Sequence, residues 1–113
     1  APVRVEVVDE LTVRLPEQVE AALYFFAMEA VQNAAKHAGA TAIAVELAGD
    51  GDGSRLTIAD DGVGFAVAES TGGSGLSNMR DRIDAVGGVV CLESSAGHGT
   101  RVVATVPAQR APQ

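Results

Sequence analysis

The stretch Leu23–Ala38, LYFFAMEAVQNAAKHA, decides how the rest of this chain is read. Leu23, Phe26, Ala30 and Ala34 recur at helical spacing, so the stretch reads as an amphipathic helix whose apolar face closes a core. Its last two turns carry Glu29, Asn33, Lys36 and His37. Glu29, Asn33 and Lys36 share one narrow stripe beside the apolar face, so a carboxylate, an amide and an ammonium look out together. The helix alone leaves two readings open. In one, Glu29 or Asn33 gives oxygen ligands to a hard cation while Lys36 meets phosphate. In the other the stripe is simply solvated, and Lys36 and His37 offset the negative end of the helix dipole.

Outward from the helix, the chain alternates between strand-like and turn-like segments. Val3, Val5 and Val7 alternate with their neighbours as a strand with one buried face. Asp9–Thr12 reads as a turn before a short extended piece at Val13–Leu15. Pro16 suits a first helical position, Glu17 and Glu20 favour the positive helix end, and Gly39 closes the helix. Thr41–Leu47 and Arg55–Ala59 read as a hairpin joined through Gly49–Gly53. Asp60-Asp61-Gly62-Val63-Gly64-Phe65 then gives a loop that can approach a ligand with its backbone. Ala66–Gly73 reads as a mobile loop, Leu76–Val86 as a helix ended by Gly87-Gly88, and Val89–Ser94 and Thr100–Val106 as the last strands. This order predicts an α+β sandwich: one mixed, mostly antiparallel sheet with helices on one face.

The totals bound the function. A chain of 113 residues, 47% hydrophobic and 20% charged, fits one domain with a modest core. A net charge of -7 argues against nucleic acid or an anionic membrane as a partner, whereas a small phosphate ligand neutralised by a metal stays compatible. Cys91 is the lone cysteine, so no internal disulfide forms and a reducing, cytoplasmic setting is the simplest fit. No apolar run reaches the roughly twenty residues of a membrane span.

Two common phosphate motifs fail. No Lys followed by Ser or Thr closes a glycine loop, and Gly73-Ser74-Gly75 continues into Leu76-Ser77-Asn78 without the third glycine of a dinucleotide fingerprint. What Gly73, Ser74, Gly75 and Leu76 do supply is backbone N–H groups at a helix start, where an anion is favoured; a plain flexible turn is the alternative. Asp60 and Asp61 fit a simple turn, but a buried carboxylate at Asp60 also suits an exocyclic amine such as that of adenine. His98 and Cys91 read as packing residues, and neither spacing nor number supports a His/Cys metal site.

Taken together, four blocks carry a resemblance that none carries alone. They are Glu29–Ala38 (EAVQNAAKHA), Asp60–Phe65 (DDGVGF), Gly73–Arg82 (GSGLSNMRDR) and Gly97–Thr100 (GHGT). In that order they resemble the asparagine box, the two glycine boxes and the Gly-Thr box of the GHKL ATPase superfamily. The nearest likeness is to the catalytic and ATP-binding domain of two-component sensor histidine kinases, in the branch whose response regulators are of NarL or LuxR type. It extends over nearly all of the chain, residues 1–113, with 107–113 as a tail.

The resemblance implies the Bergerat α/β sandwich, with ATP and Mg2+ as cofactors. Asn33 would ligate Mg2+ with Glu29 close by as the second metal and catalytic residue, and Lys36 or His37 would approach the phosphates. Asp60 would receive the adenine amine, with Gly62 and Gly64 against the base and Thr100 completing that side. Ala66–Gly73 would be the ATP lid, and Gly73, Ser74, Gly75 and Leu76 would cradle phosphates. Position 29 is Glu where many kinases carry Asn, and Ser77-Asn78-Met79-Arg80 stands where a second Gly-Leu pair is more familiar, which leaves Arg80 and Arg82 without an assigned role. The implied partners are a phosphoacceptor helical domain of the same kinase dimer and a response regulator, with no nucleic acid or membrane contact. Because neither His37 nor His98 sits in a long helical hairpin, this piece would not autophosphorylate alone. Rival readings are an ATP-driven clamp, disfavoured because only Ala108–Gln113 follow Pro107, and an anti-sigma serine kinase.

Overall fold

The structure is a computed structural model, and it describes residues 3–12, 14–37, 39–50, 53–62, 74–94 and 99–108. In chain order the elements are β1 (Arg4–Asp9), α1 (Glu17–His37), β2 (Ala42–Asp50), β3 (Gly53–Asp60), α2 (Ser74–Asp84), β4 (Val89–Ser94) and β5 (Thr100–Val106). The strands form one sheet in the order β1-β2-β3-β5-β4, with β1 parallel to β2 and every other pair antiparallel. The predicted α+β class and mixed, mostly antiparallel sheet are therefore what the chain adopts.

The core follows from two periodicities meeting. Along α1 the buried residues are Val19, Ala22, Leu23, Phe26, Ala30 and Ala34, one stripe at helical spacing. Along the sheet, Ile43 and Val45 of β2, Leu56 and Ile58 of β3, and Val102, Ala104 and Val106 of β5 alternate inward. Met79 and Ile83 of α2 complete the layer. Both helices lie on this one face, α1 over β2, β3 and β5 and α2 against α1 and β4.

Three local expectations need correction. β1 has no buried face: all six residues are exposed, Val5 by 44% and Val7 by 68%. The crossover carries α1 past β1 to the middle of the sheet, so the edge strand is left uncovered. Pro16 stands just before α1, where its carbonyl accepts the amides of Val19 and Glu20, a capping rather than a first helical place. Finally, β2 and β3 stay paired out to Asp50↔Gly53, so the hairpin connection is shorter than Gly49–Gly53.

Strand direction decides where the helix ends fall. β2 starts at Ala42, beside the end of β3 at Asp60, and Asp60 pairs with Thr100 at the start of β5. Because α1 crosses between the parallel strands β1 and β2, it returns to this end, and its last residue is His37. α2 leaves β3 at the same end and runs back towards Val89. The C-terminus of α1 and the N-terminus of α2 thus share one end of the sheet.

Candidate functional site

At that end, Asp60 and Thr100 form a cross-strand pair on the helix-covered side, continuing the inward row of Ile58 and Val102. Thr100 is buried and Asp60 half-buried. The Asp60 Oδ1 accepts the backbone N–H of Gly62 at 2.8 Å, which orients the carboxylate. Gly62 is itself buried, and Gly99 approaches so closely that a Cβ there would run into the carbonyl oxygen of Asp60. Gly99 takes φ +78°, which L side chains rarely adopt. An oriented carboxylate and a hydroxyl thus stand side by side on backbone close enough to exclude side chains, groups that a flat polar base could meet.

The helices supply the other wall. Asn33 is exposed and Glu29 half-buried, one turn apart on the flank of α1 that also carries Phe25. That flank faces α2, because the Arg82 guanidinium lies 4.5 Å from the centre of the Phe25 ring. Arg82 thereby gains a role that its sequence position did not give: it braces one helix on the other. The helices run antiparallel with equal rise per residue, so this contact sets the Ser74 turn of α2 at about the level of the Asn33 turn of α1. The first turn of α2 carries amide groups without intrahelical partners, which favours an anion.

Asp61 is the residue that sequence reasoning did not single out. Its Oδ1 accepts the backbone N–H groups of Thr41 at 2.8 Å and Ala42 at 3.0 Å, and its Oδ2 accepts the Thr41 hydroxyl at 2.5 Å. These bonds, the Thr41 hydroxyl first, hold its carboxyl below the ordinary 3.8, at about 2. The signal in the sequence is a second acid directly after Asp60, with a Thr at the head of β2.

Of the residues expected at the site, the structure brings Asp60, Gly62 and Thr100 together at the end of β3 and the start of β5. Asn33 and Glu29 lie on the helix flank at the same end. Lys36 and His37 lie in the backbone of α1, and Ser74, Gly75 and Leu76 in the first turn of α2, where the helix begins two residues earlier than expected. Their side chains are outside what is described. Gly64, Gly73, the 66–73 segment and His98 lie outside the described residues. Among the described residues no three His, Cys, Asp or Glu side chains cluster to hold a metal by themselves. No described helix is long and apolar enough to cross a membrane.

The chain has relatives on both sequence and structure. The family described as histidine kinase-, DNA gyrase B-, and HSP90-like ATPase matches residues 18–110. An uncharacterised sensor-like histidine kinase of Chloroflexus aurantiacus is 41% identical over 102 residues, covering 84% of this chain and 17% of that protein. The signal transduction histidine-protein kinase/phosphatase DegS of Brevibacillus brevis is 34% identical over 95 residues, covering 83% of this chain and 25% of that one. The chain therefore spans a quarter or less of either of these two curated relatives. The ATP-binding domain of PrrB from Mycobacterium tuberculosis superposes with a TM-score of 0.79 at 27% identity, covering 96% of this chain and 82% of that structure. The chain belongs to the histidine kinase-, DNA gyrase B- and HSP90-like ATPase family, and within it is an ATP-binding catalytic domain of the sensor histidine kinase kind.

Proposed function

We propose that this domain binds Mg-ATP at the Asp60–Thr100 end of the sheet and presents the γ-phosphoryl group to a histidine on a separate helical dimerisation domain. From there the group passes to a response regulator of NarL or LuxR type, on the cytoplasmic side of the full-length kinase. The observation that carries this reading is the meeting of the Asp60–Thr100 rung, the Asn33 end of α1 and the first turn of α2 at one end of one sheet. Asp60 would accept the adenine amine, Thr100 and the backbone at Gly62 would bound the base, and the amides at Ser74 and Gly75 would face phosphate oxygens.

The donor set suits Mg2+. Asn33 with Glu29 offers one or two oxygen ligands and no closed cage, and Mg2+ is ordinarily held by one or two side chains together with phosphate oxygens and water. When bound, the ion would neutralise phosphate charge that a domain of net charge -7 otherwise repels. The protein's share of the chemistry is positioning: holding the nucleotide so that the transferred group lies in line with an incoming imidazole.

Thermal unfolding with and without Mg-ATP tests the binding step. Ligand at about a hundred times its dissociation constant stabilises by roughly 2.7 kcal/mol. Asp60→Ala should abolish the stabilisation by adenine nucleotides, and an unchanged stabilisation would show that the base does not sit there. For the transfer step, addition of a histidine-bearing helical domain of the same kinase should yield an acid-labile phosphohistidine; none with a matched domain would remove the kinase reading.

A further inference from the structure

The carboxylate of Asp61 spans a gap that hydrophobic packing leaves weakly keyed. Near its middle, α1 is fixed to the sheet by Phe26, which is fully buried. Towards its C-terminus, the buried residues are Ala30 and Ala34, each 5% exposed, with Val31 only partly buried against the core. Methyl groups bury well but interlock little, so they resist sliding of the helix end less than a ring does. After His37 the chain turns through Gly39, with φ +62°, and buried Ala40 to reach Thr41, just before β2 begins at Ala42. There the Asp61 carboxylate takes two consecutive backbone amides and the Thr41 hydroxyl, while the Asp61 N–H donates to the Ala42 carbonyl oxygen at 3.3 Å.

We infer that Asp61 is a positioning residue for nucleotide binding: by tying Thr41 and Ala42 to the end of β3, it fixes where the Asn33 end of α1 stands relative to Asp60. This inference rests on the proposed ATP site. The two sides of that site belong to different elements, the base side to β3 and β5 and the metal and phosphate side to α1 and α2. Asp61 follows Asp60 directly in the chain and grips the segment that follows α1, so it joins the two sides without touching the ligand. The same bonds that hold its carboxyl low, near 2, are the ones that fasten the two strand ends.

The distinguishing measurement is a ratio of affinities. Calorimetric titration of wild type, Asp61→Ala, Asp61→Asn and Thr41→Val with a non-hydrolysable Mg-ATP analogue and with adenosine separates the two sides. Loss of a group that only stabilises the fold lowers the unfolding temperature and leaves this ratio unchanged in the folded protein. Asp61→Ala should weaken the triphosphate about tenfold more than adenosine, within the range of other groups that orient a ligand-binding residue from behind. Thr41→Val should shift the ratio in the same direction by less, and Asp61→Asn, which keeps an acceptor for the two amides, should restore most of it. Equal losses for both ligands in folded Asp61→Ala would overturn the inference. Should that variant not fold, an unchanged ratio in Thr41→Val would overturn it instead. Wild type that binds neither ligand would remove the ATP site itself and the inference with it; wild type that binds both, with an invariant ratio among variants, removes only the role of Asp61.

Discussion

Replacement of Gly99 by alanine tests the close approach between β5 and β3 at the proposed base side of the site. Gly99 takes φ +78°, and a Cβ there would press on the Asp60 carbonyl oxygen and stand 3.2 Å from its carbonyl carbon. Gly39 is the matched control: its φ is +62° and a Cβ there meets nothing within 4 Å. An L residue in the left-handed region costs about 1–2 kcal/mol, offset by about 0.4–1 kcal/mol from the stiffer unfolded chain. Gly39→Ala should therefore cost about 1 kcal/mol. Gly99→Ala carries the same backbone cost, and the clash is with backbone, so it cannot be relieved by a rotamer change. The start of β5 must part from the end of β3, which forfeits terminal ladder hydrogen bonds at about 1 kcal/mol each. The total is about 3 kcal/mol, so at roughly 4 °C per kcal/mol the unfolding midpoint should fall about 12 °C, against about 4 °C for the control. Urea unfolding of the two variants beside wild type measures the difference. Since the parting moves Asp60, Gly99→Ala should also weaken adenosine binding while Gly39→Ala leaves it intact. Equal destabilisation of the two variants would refute the steric argument.

Phe26→Ala removes the fully buried ring at the centre of α1 and should cost about 3–5 kcal/mol by urea unfolding; a loss below about 1 kcal/mol would mean that α1 does not close the core. The Asp61 carboxyl, lowered from 3.8 in the unfolded chain to about 2, contributes stability that is complete above the unfolded value and is lost as pH falls through the folded one. Urea midpoints between about pH 5 and pH 2 should therefore drop more steeply in wild type than in Asp61→Asn, and parallel curves would show that the carboxylate is not bonded to Thr41 and Ala42.

The sequence made the sheet pairs and the central helix legible because each depends on a short-range period. Alternation through Thr41–Leu47 and Arg55–Ala59 gave β2 and β3, and the stripe through Leu23, Phe26, Ala30 and Ala34 gave the buried side of α1. The same alternation misled at β1. It shows that Val5 and Val7 share a side, but whether anything covers that side depends on how far the α1 crossover reaches, which no local pattern records. Asp61 was hidden for a related reason. A turn reading pairs an acid with its near neighbours, as Asp60 indeed pairs with Gly62, whereas the donors to Asp61 lie about twenty residues earlier and arrive only when β2 and β3 align. The Arg82–Phe25 contact likewise needed the antiparallel packing of two helices before it had a meaning.

The topology also explains how an acidic domain can present a site suited to a polyanion. Each helix end carries a partial charge of about half an elementary unit, negative at the C-terminus and positive at the N-terminus. The two crossover helices run antiparallel to each other, which sets the negative end of α1 and the positive end of α2 at the same end of the sheet. A cation is favoured on the α1 side, where Asn33 and Glu29 stand, and phosphate on the α2 side, where the amides of Ser74 and Gly75 begin the helix. A metal–phosphate pair matches that split in both sign and order, whereas a bare polyphosphate meets the negative end of α1 and the surplus acids unneutralised. Nucleotide affinity should accordingly fall when the metal is chelated, and fall more for the triphosphate than for adenosine, because only the triphosphate reaches the boundary between the two helix ends.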